Sequence, residues 1–369
     1  MGIQNTDNKK ILVITHQLSR TGAPIVLLDM IRAYWRYGYQ MEMITMLDGE
    51  LRGEIEKMGI PIKVQEHFMD HVDEFLSYAG KFDFVIANTL VTFEAIHLLK
   101  HMKMPVLWWL HEGRQYFEYF VKVLPDFRNM PPNIHVYSVG HYVQKVVEEL
   151  YGVRTEILHF GIGKPDLEDA RELALGEREI PEGKACFLTA GTYSKVKAQD
   201  VLAEAIRRLP EEYLARAEFF FCGNERMYDE AVFIPVRRLC TEYANVTMLG
   251  QLSRQETMAW MRRCDCLIAP SRIDPMPTVA AEVMMAGQLC LCTDVCGVAH
   301  YIEDGVNGFT VPPEDADALA EKIKFIIDRR GRLEGVKKAG HEIYESHFSM
   351  EVFEDRILRL AAQYLGGGA

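Results

Sequence analysis

Residues 264–294 of the chain read CDCLIAPSRIDPMPTVAAEVMMAGQLCLCTD. Two apolar runs of strand length flank a polar loop and a short stretch typical of a helix. Pro277 lies where the first residue of a helix is favoured, and Gly287 is a favoured residue just past a helix end. Buried strands joined by helices are the building unit of a parallel sheet that is covered on both faces.

The same unit recurs along most of the chain. Predicted strands lie at residues 11–16, 41–47, 61–64, 84–88, 106–111 and 134–138, and they start again at 186–191, 217–223 and 245–250. Between the two series, residues 161–183 are polar and rich in Gly, Pro and charge, which indicates an interdomain connection. We therefore predict an α/β protein of two consecutive doubly wound, Rossmann-like domains, residues 1–163 and 164–348. A last helix, 349–365, is expected to pack back on the first domain, and the tail after it to be disordered.

Composition limits the function classes. The net charge of −12 argues against nucleic acid as the main partner. The eight cysteines lie partly in apolar runs and lack Cys-x-x-Cys spacing, which favours buried thiols in a reducing compartment over a zinc site. No signal peptide or membrane-spanning stretch is visible, so a cytoplasmic location is expected.

Charge and histidine are unevenly distributed between the domains. Residues 1–165 hold 17 Lys and Arg against 19 Asp and Glu, and nine of the 12 histidines. Either this distribution is drift, or the first domain meets something anionic; the sequence leaves both open.

The loop and helix after Ala269 contain the richest chemistry. The helix N-terminus lies at the carboxyl edge of the predicted sheet, where free N–H groups favour an anion. Thr278 and Glu282 are four residues apart and share a helix face. The alternative interpretation is that Asp274 caps the helix and Glu282 is solvated.

The sequence resembles the retaining glycosyltransferases of GT-B fold, family 4. PSRIDP followed by Glu282, eight residues after Asp274, resembles the acidic-x7-acidic region of that family. AGTYSKVKAQDVLAEAI resembles its Gly-x-x-x-x-x-Lys-Gly diphosphate loop, with Lys197 at the lysine. HQLSRTGAPIVLL and WWLHEG resemble its early glycine loop and the strand before an active-site histidine. The resemblance covers essentially the whole chain and implies two domains that face each other across a cleft.

The resemblance also implies roles for individual residues. Glu282 would bind the ribose of a nucleotide sugar, Asp274 the transferred sugar, and Lys197 the diphosphate. His111 would stand near the sugar or phosphate. The remaining expected donor-binding positions are Gly22, Thr192, Lys195, Gly250, Gln251, Ser271, Arg272, Thr278 and Val279.

The implied function is transfer of a sugar from a nucleoside diphosphate to a glycan or lipid-linked acceptor, in the synthesis of cell-surface polysaccharide. No cofactor and no metal are expected, because a lysine and a helix terminus supply the positive charge at the leaving group. The family's pattern is altered at Thr192, Pro277 and His300. Alternative interpretations are a nucleotide-sugar epimerase of the same fold and a non-catalytic nucleotide-sugar-binding protein.

Several further features of the sequence have two interpretations. Asp315 and Asp317 form a DxD pattern that could hold a metal, although a helix cap is favoured. His16 could line a cleft or simply be buried. The aromatic run at 116–120 is more typical of a core, but it could face a lipid-linked acceptor, with peripheral membrane contact through the first domain.

Overall fold

The computed structural model describes residues 9–164, 180–226 and 228–366, and the chain folds as two compact units. Unit 1 is formed by Met1–Gly161 and Met350–Ala369, and unit 2 by Ile162–Ser349. Most of the predicted interdomain connection, residues 165–179, and the last three residues of the predicted disordered tail lie outside the described residues.

Unit 1 is built on a seven-stranded sheet in the order β3-β2-β1-β4-β5-β6-β7. Every neighbouring pair is parallel. The strands are β1 Lys10–Gln17, β2 Gln40–Leu47, β3 Ile62–Val64, β4 Phe84–Asn88, β5 Val106–Leu110, β6 Ile134–Ser138 and β7 Glu156–Ile157. The fully buried runs of β4 and β5 explain their nearly uninterrupted apolar sequences.

The helices of unit 1 follow the strands in alternation. They are α1 Gly22–Arg36, α2 Arg52–Lys57, α3 Val72–Ala79, α4 Phe93–Leu99, α5 Arg114–Phe120 and α6 His141–Tyr151. The last helix of the chain, Met350–Leu365, also belongs to this unit. Its Ile357 carbonyl accepts a hydrogen bond from the Tyr34 hydroxyl at 2.8 Å, and its Tyr364 hydroxyl lies 2.8 Å from that of Tyr137.

Unit 2 repeats the design with a six-stranded parallel sheet in the order β10-β9-β8-β11-β12-β13. The strands are β8 Ala185–Ala190, β9 Ala217–Cys222, β10 Val246–Gly250, β11 Cys266–Ala269, β12 Leu289–Thr293 and β13 Phe309–Val311. The helices are α7 Gln199–Arg207, α8 Glu211–Leu214, α9 Glu230–Glu242, α10 Arg254–Arg263, α11 Thr278–Met285, α12 Ala316–Asp328 and α13 Glu334–Ile343. The predicted α/β class with doubly wound parallel sheets is confirmed.

Local sequence explains several helix starts. Ser253 and Glu256 form a reciprocal capping box at the start of α10, and the Asp315 carboxylate accepts the Ala318 N–H at 2.8 Å at the start of α12. Asp317 instead pairs with Arg208 at 2.8 Å. The capping interpretation of Asp315 is therefore confirmed. Among the described residues, no group of His, Cys, Asp and Glu has an arrangement that could hold a metal ion.

The cysteines behave as core residues, as predicted. All eight are free thiols, and every one except Cys240 is buried. Burial raises the pKa of Cys264 and Cys266 well above the usual range, so both remain thiols. Within the described part of the chain, no helix has the length and apolar character needed to cross a membrane.

Candidate active site

A buried ion pair lies at the carboxyl edge of the unit 2 sheet. Lys197 Nζ is 2.6 Å from Asp274 Oδ2, and the two side chains are 32% and 8% exposed. Burial by itself lowers the pKa of Lys197, but the attraction and hydrogen bond of Asp274 outweigh burial, and the pKa is raised. Lys197 therefore carries its charge at neutral pH.

The ion pair lies in a small crevice that collects residues from several loops. Its lining residues are Thr189, Ala190, Lys197, Gln199, Ile268, Ala269, Pro270, Ser271, Asp274 and Val279. Four residues predicted from sequence, namely Lys197, Ser271, Asp274 and Val279, thus meet in one place. The parallel topology explains this, because the loops after β8 and β11 leave adjacent strands at the same edge.

The Asp274 loop is held by a close backbone approach from Gly297. The Gly297 N–H donates to the Asp274 carbonyl at 2.9 Å. A Cβ at position 297 would lie only 1.8 Å from the Pro275 carbonyl oxygen, so glycine is required there. The sequence prediction did not single out this residue for a role.

Asp274 does not cap helix α11. The cap residue is Pro277, one position before the helix, and among the described residues no side chain makes a capping hydrogen bond there. The helix therefore begins at Thr278, one residue later than the sequence predicted, with its N-terminus directed to the edge that holds Asp274.

Glu282 lies on α11 one turn after Thr278 and is 12% exposed. Burial raises its pKa above the usual range, while Arg254 Nε, 3.6 Å from Glu282 Oε1, lowers it. The interpretation of Asp274 as a cap and Glu282 as a solvated group is therefore wrong. Arg254 was not predicted, because it lies on a different helix, α10.

Arg272 is occupied by protein partners. Its guanidinium makes two hydrogen bonds to Asp200, at 3.0 and 2.6 Å, and one to Glu314 at 2.7 Å. A further bond joins it to the Lys195 carbonyl at 3.0 Å. These contacts tie the Asp274 loop to the Lys197 loop, and direct donor binding by Arg272 stays a prediction. The neighbouring Ser271 is buried, and its carbonyl accepts the Thr293 hydroxyl at 2.6 Å.

The predicted diphosphate loop runs from Gly191 to the start of α7. Its Gly191 has a φ of +145°, and Ala198, where the family pattern has glycine, has a φ of +54°. The Gln199 amide fixes the loop through the carbonyls of Gly191 and Thr192, at 3.3 and 3.0 Å. Thr192 itself is exposed.

Of the predicted donor-binding residues, Ser271 and Val279 line the crevice and the others do not. Lys195 is 74% exposed and stands 4.0 Å from Asp229. Gly250 ends β10 and Gln251 follows it; this edge strand is separated from β11 by β9 and β8. Gly250 has a φ of +74°, which favours glycine.

Unit 1 brings a second group of residues to the carboxyl edge of its own sheet. His16 is near the end of β1, Thr89 follows β4, and His111 follows β5. The Thr89 hydroxyl is 3.1 Å from His16 Nδ1. Burial lowers the pKa of His16 to about 4 and, together with His16, that of His111 to about 3. Both imidazoles are therefore neutral at pH 7.

Glu112, which sequence reasoning gave no role, joins two of these loops. It accepts the N–H groups of Leu90 and His111 at 2.8 and 2.9 Å. Burial raises its pKa to about 7, although hydrogen bonds from the backbone N–H groups of Leu90, His111 and Glu112 itself oppose this rise. A glutamate beside the predicted histidine was the only signal in the sequence.

Two further features predicted from the sequence, Gly22 and the aromatic run at residues 116–120, also lie in unit 1. Gly22 begins α1, and a Cβ there would meet no atom within 4 Å, so the fold itself does not require glycine. In the aromatic run, Phe117 is buried beside Phe127. Tyr116 and Tyr119, in contrast, are 47% and 80% exposed, so the run is partly core and partly surface.

Two family models match the chain in sequence. Residues 7–162 match glycosyl-transferase family 4, and residues 171–343 match glycosyl transferases group 1. The chain belongs to the group 1 glycosyltransferases of family 4. This agrees with the resemblance noted in the sequence and with the two Rossmann-like units.

Individual relatives are distant. An uncharacterized glycosyltransferase of Methanocaldococcus jannaschii is 24% identical over 216 residues, covering 58% of this chain and 56% of the relative. D-inositol 3-phosphate glycosyltransferase 1 of Catenulispora acidiphila is 26% identical over 229 residues, covering 59% and 54%. The matched region thus spans about half the length of these curated relatives.

A solved structure supports the fold at lower identity. HepE of Anabaena, crystallised with UDP and glucose, superposes with a TM-score of 0.77 at 18% identity, covering 96% of this chain and all of that one. At this identity the likeness supports the fold alone.

Proposed function

We propose that this protein is a retaining glycosyltransferase. It moves a sugar from a nucleoside diphosphate to a glycan or lipid-linked acceptor in the synthesis of cell-surface polysaccharide. The observation that carries the proposal is the buried pair Lys197–Asp274, at 2.6 Å, beside the N-terminus of α11. Family membership supports it, as does the UDP and glucose bound to HepE.

In this proposal, Lys197 and Asp274 have different roles in the reaction. Lys197 neutralises the diphosphate, on which negative charge builds as the bond to the sugar breaks. Asp274 accepts hydrogen bonds from the transferred sugar, and Glu282 binds the ribose. Without donor, each charge of the pair compensates the other, which a buried lysine and carboxylate both need. Binding of the donor exchanges this partner for the diphosphate and the sugar hydroxyls.

The same charges supply what a divalent ion would supply. We propose that transfer needs no metal, since Lys197 and the N-terminus of α11 face the leaving group. Loss of activity in EDTA that magnesium or manganese restores would contradict this part of the proposal.

The acceptor side is proposed to involve unit 1. His111 approaches the sugar or phosphate, and the exposed Tyr116 and Tyr119 of α5 offer amphipathic contact to a lipid-linked acceptor at a membrane surface. Such peripheral binding at the cytoplasmic face should weaken with salt, because charge screening acts over about 8–10 Å at physiological ionic strength. Flotation with anionic vesicles at low and high salt measures it, and equal recovery in the soluble fraction favours a soluble acceptor.

The central test is a panel of UDP-, GDP- and ADP-sugars. Release of nucleoside diphosphate, by transfer or by slow hydrolysis, supports the proposal. NMR of the product must show the anomeric configuration of the donor if the enzyme is retaining.

The panel also separates the alternatives. An epimerised nucleotide sugar identifies an epimerase, and heat stabilisation by a nucleotide sugar without turnover identifies a binding protein. Lys338→Ala is the control for Lys197→Ala, because it removes an exposed lysine of the same unit that lies on α13.

A further inference from the structure

Glu112 accepts backbone hydrogen bonds from two neighbouring loops of unit 1. Its Oε1 receives the N–H of Leu90, after β4, at 2.8 Å. Its Oε2 receives the N–H of His111, after β5, at 2.9 Å. Each carboxylate oxygen thus holds a different loop, and the side chain fixes the distance between two adjacent strand ends.

The loop that Leu90 belongs to is strained. The preceding Thr89 has a φ of +80°, an unfavourable conformation for a β-branched residue. Several hydrogen bonds hold Thr89. Among them, its N–H donates to the Trp109 carbonyl at 2.8 Å, and its own carbonyl accepts the Trp108 indole N–H at 2.9 Å and the Thr92 hydroxyl at 2.8 Å. A conformation of this cost is kept where the surroundings fix it, and Glu112 is part of those surroundings.

These contacts converge on His111. Its backbone is fixed by Glu112, and its ring stacks obliquely on Trp109 with the centroids 4.4 Å apart. Among the described residues, His111 Nε2 is buried and has no hydrogen-bond partner. A buried unpaired nitrogen is costly, so a ligand group that pairs with it would be bound selectively.

We propose that Glu112 is a positioning residue for His111. By holding the backbone at His111 and Leu90 together, it presents His111 Nε2 to a hydroxyl group of the sugar or acceptor. The inference rests on the proposed transferase function. It assigns Glu112 no contact with substrate.

Two acceptor oxygens are required, because both partners are N–H donors. In Glu112→Gln, one oxygen is replaced by an NH2 group that faces a backbone N–H, so one of the two loops loses its acceptor. The substitution keeps the shape and volume of the side chain. Glu118→Gln is the matched control, because Glu118 is an exposed glutamate on α5 that pairs with Arg114 at 3.4 Å.

The first measurement is steady-state kinetics with the best donor of the panel. Glu112→Gln should lower kcat about tenfold, the effect of leaving a buried backbone N–H without its acceptor. The KM for donor and the Kd for the free nucleoside diphosphate should stay within about twofold, because those contacts belong to unit 2. An unchanged kcat, or a loss equal to the unfolded fraction seen in a thermal melt, overturns the proposal.

The second measurement reads His111 directly. In protein labelled with 15N-histidine, the imidazole signals of His111 are assigned with His111→Asn. Glu112→Gln should move them and Glu118→Gln should not; unmoved signals overturn the proposal. If Glu112→Gln does not fold, the same two measurements are made on Glu112→Asp, which keeps the carboxyl group on a side chain that is one methylene shorter. If the wild-type protein turns over no donor, the proposed function fails, and the NMR signals still decide whether Glu112 orients His111.

Discussion

The two sheets end in chemically different edges. At the edge of unit 2, Lys197 is charged, because Asp274 at 2.6 Å raises its pKa, and Glu282, whose pKa is raised by burial, lies 3.6 Å from Arg254. At the edge of unit 1, His16 and His111 are neutral because burial lowers their pKa values to about 4 and 3. Both edges are formed by loops after parallel strands, so the fold does not explain their different chemistry.

The partner of each buried group makes the difference. A carboxylate at hydrogen-bond distance outweighs the burial of Lys197 and raises its pKa. Among the described residues, the hydrogen-bond partner of His16 is the Thr89 hydroxyl, which does not offset the desolvation of an imidazolium. In the proposed function, the unit 2 edge takes the anionic diphosphate, and the unit 1 edge takes uncharged hydroxyl groups.

The largest expected effect tests the charge at the unit 2 edge. Lys197→Ala should lower kcat about 10²–10³-fold, as removal of a fixed group that stabilises transition-state charge commonly does. It also leaves the buried Asp274 carboxylate unpaired, which should cost up to about 3 kcal/mol of unfolding free energy. Turnover and chemical denaturation measure the two effects.

The control for this change is Lys338→Ala, at an exposed lysine on α13 of the same unit, which should alter both quantities little. If Lys197→Ala and Lys338→Ala behave alike, charge at this edge does not depend on the pair Lys197–Asp274, and the contrast between the two units fails.

The next test concerns pH at the unit 1 edge. In the unfolded chain, His16 takes up a proton as pH falls below about 6.5. In the folded protein, the same histidine takes up a proton only as pH approaches its lowered pKa of about 4. The free energy of unfolding should therefore fall as pH falls from 6.5 to 4, by up to about 3 kcal/mol from this group. Glu112, with its pKa raised to about 7, acts in the opposite direction: it stabilises below pH 4.5, and this contribution is lost as pH rises through 7.

The variant His16→Gln isolates the histidine contribution. Denaturation followed by tryptophan fluorescence at pH 7 and pH 4.5 should show a smaller acid loss in this variant than in wild type. Exposed His101, changed to Gln, is the control. An acid loss that persists unchanged in His16→Gln would show that His16 is not held neutral.

The two acidic residues of unit 2 should differ in what they bind. Glu282→Gln should weaken donor and free nucleoside diphosphate alike by about tenfold, because both contain the ribose. Asp274→Asn should spare the free nucleotide and slow transfer, because the lost contact involves only the sugar. Calorimetric titration and turnover distinguish the two patterns, and unchanged affinity and turnover in both variants would remove the carboxylates from the site.

The smallest effect compares two strained backbones, one in each unit. Ala198→Gly should change the free energy of unfolding by less than about 1 kcal/mol, because relief of the φ of +54° is offset by the freedom glycine gains when unfolded. Its kcat should be unchanged. Thr89→Gly relieves a φ of +80° but also removes the hydroxyl next to His16, and it should be the more destabilising of the two. If thermal melts show Ala198→Gly to be the more destabilising of the two variants, relief of backbone strain outweighs the loss of the hydroxyl at Thr89.

The fold class and most of the strands follow from the amino-acid pattern alone. Apolar runs such as FVIAN and VLWWL are buried on both sides and have strand length, so local pattern and tertiary structure agree. Strands of two or three residues are at the limit of detection: Ile62–Val64 lies within a predicted strand, whereas Glu156–Ile157 and Phe309–Val311 were not predicted. Helix α9 contains Pro235 in its interior, where a sequence pattern disfavours a helix.

The candidate site divides in the same way. The resemblance of its motifs to the family singled out Lys197, Asp274, Glu282 and His111. Their partners come from other parts of the fold: Arg254 lies on another helix from Glu282, Gly297 approaches Pro275 from another loop, and Glu112 accepts from Leu90 of the loop after the neighbouring strand. The physical reason is that charge state and orientation depend on burial and on groups distant in sequence, and a linear pattern contains neither.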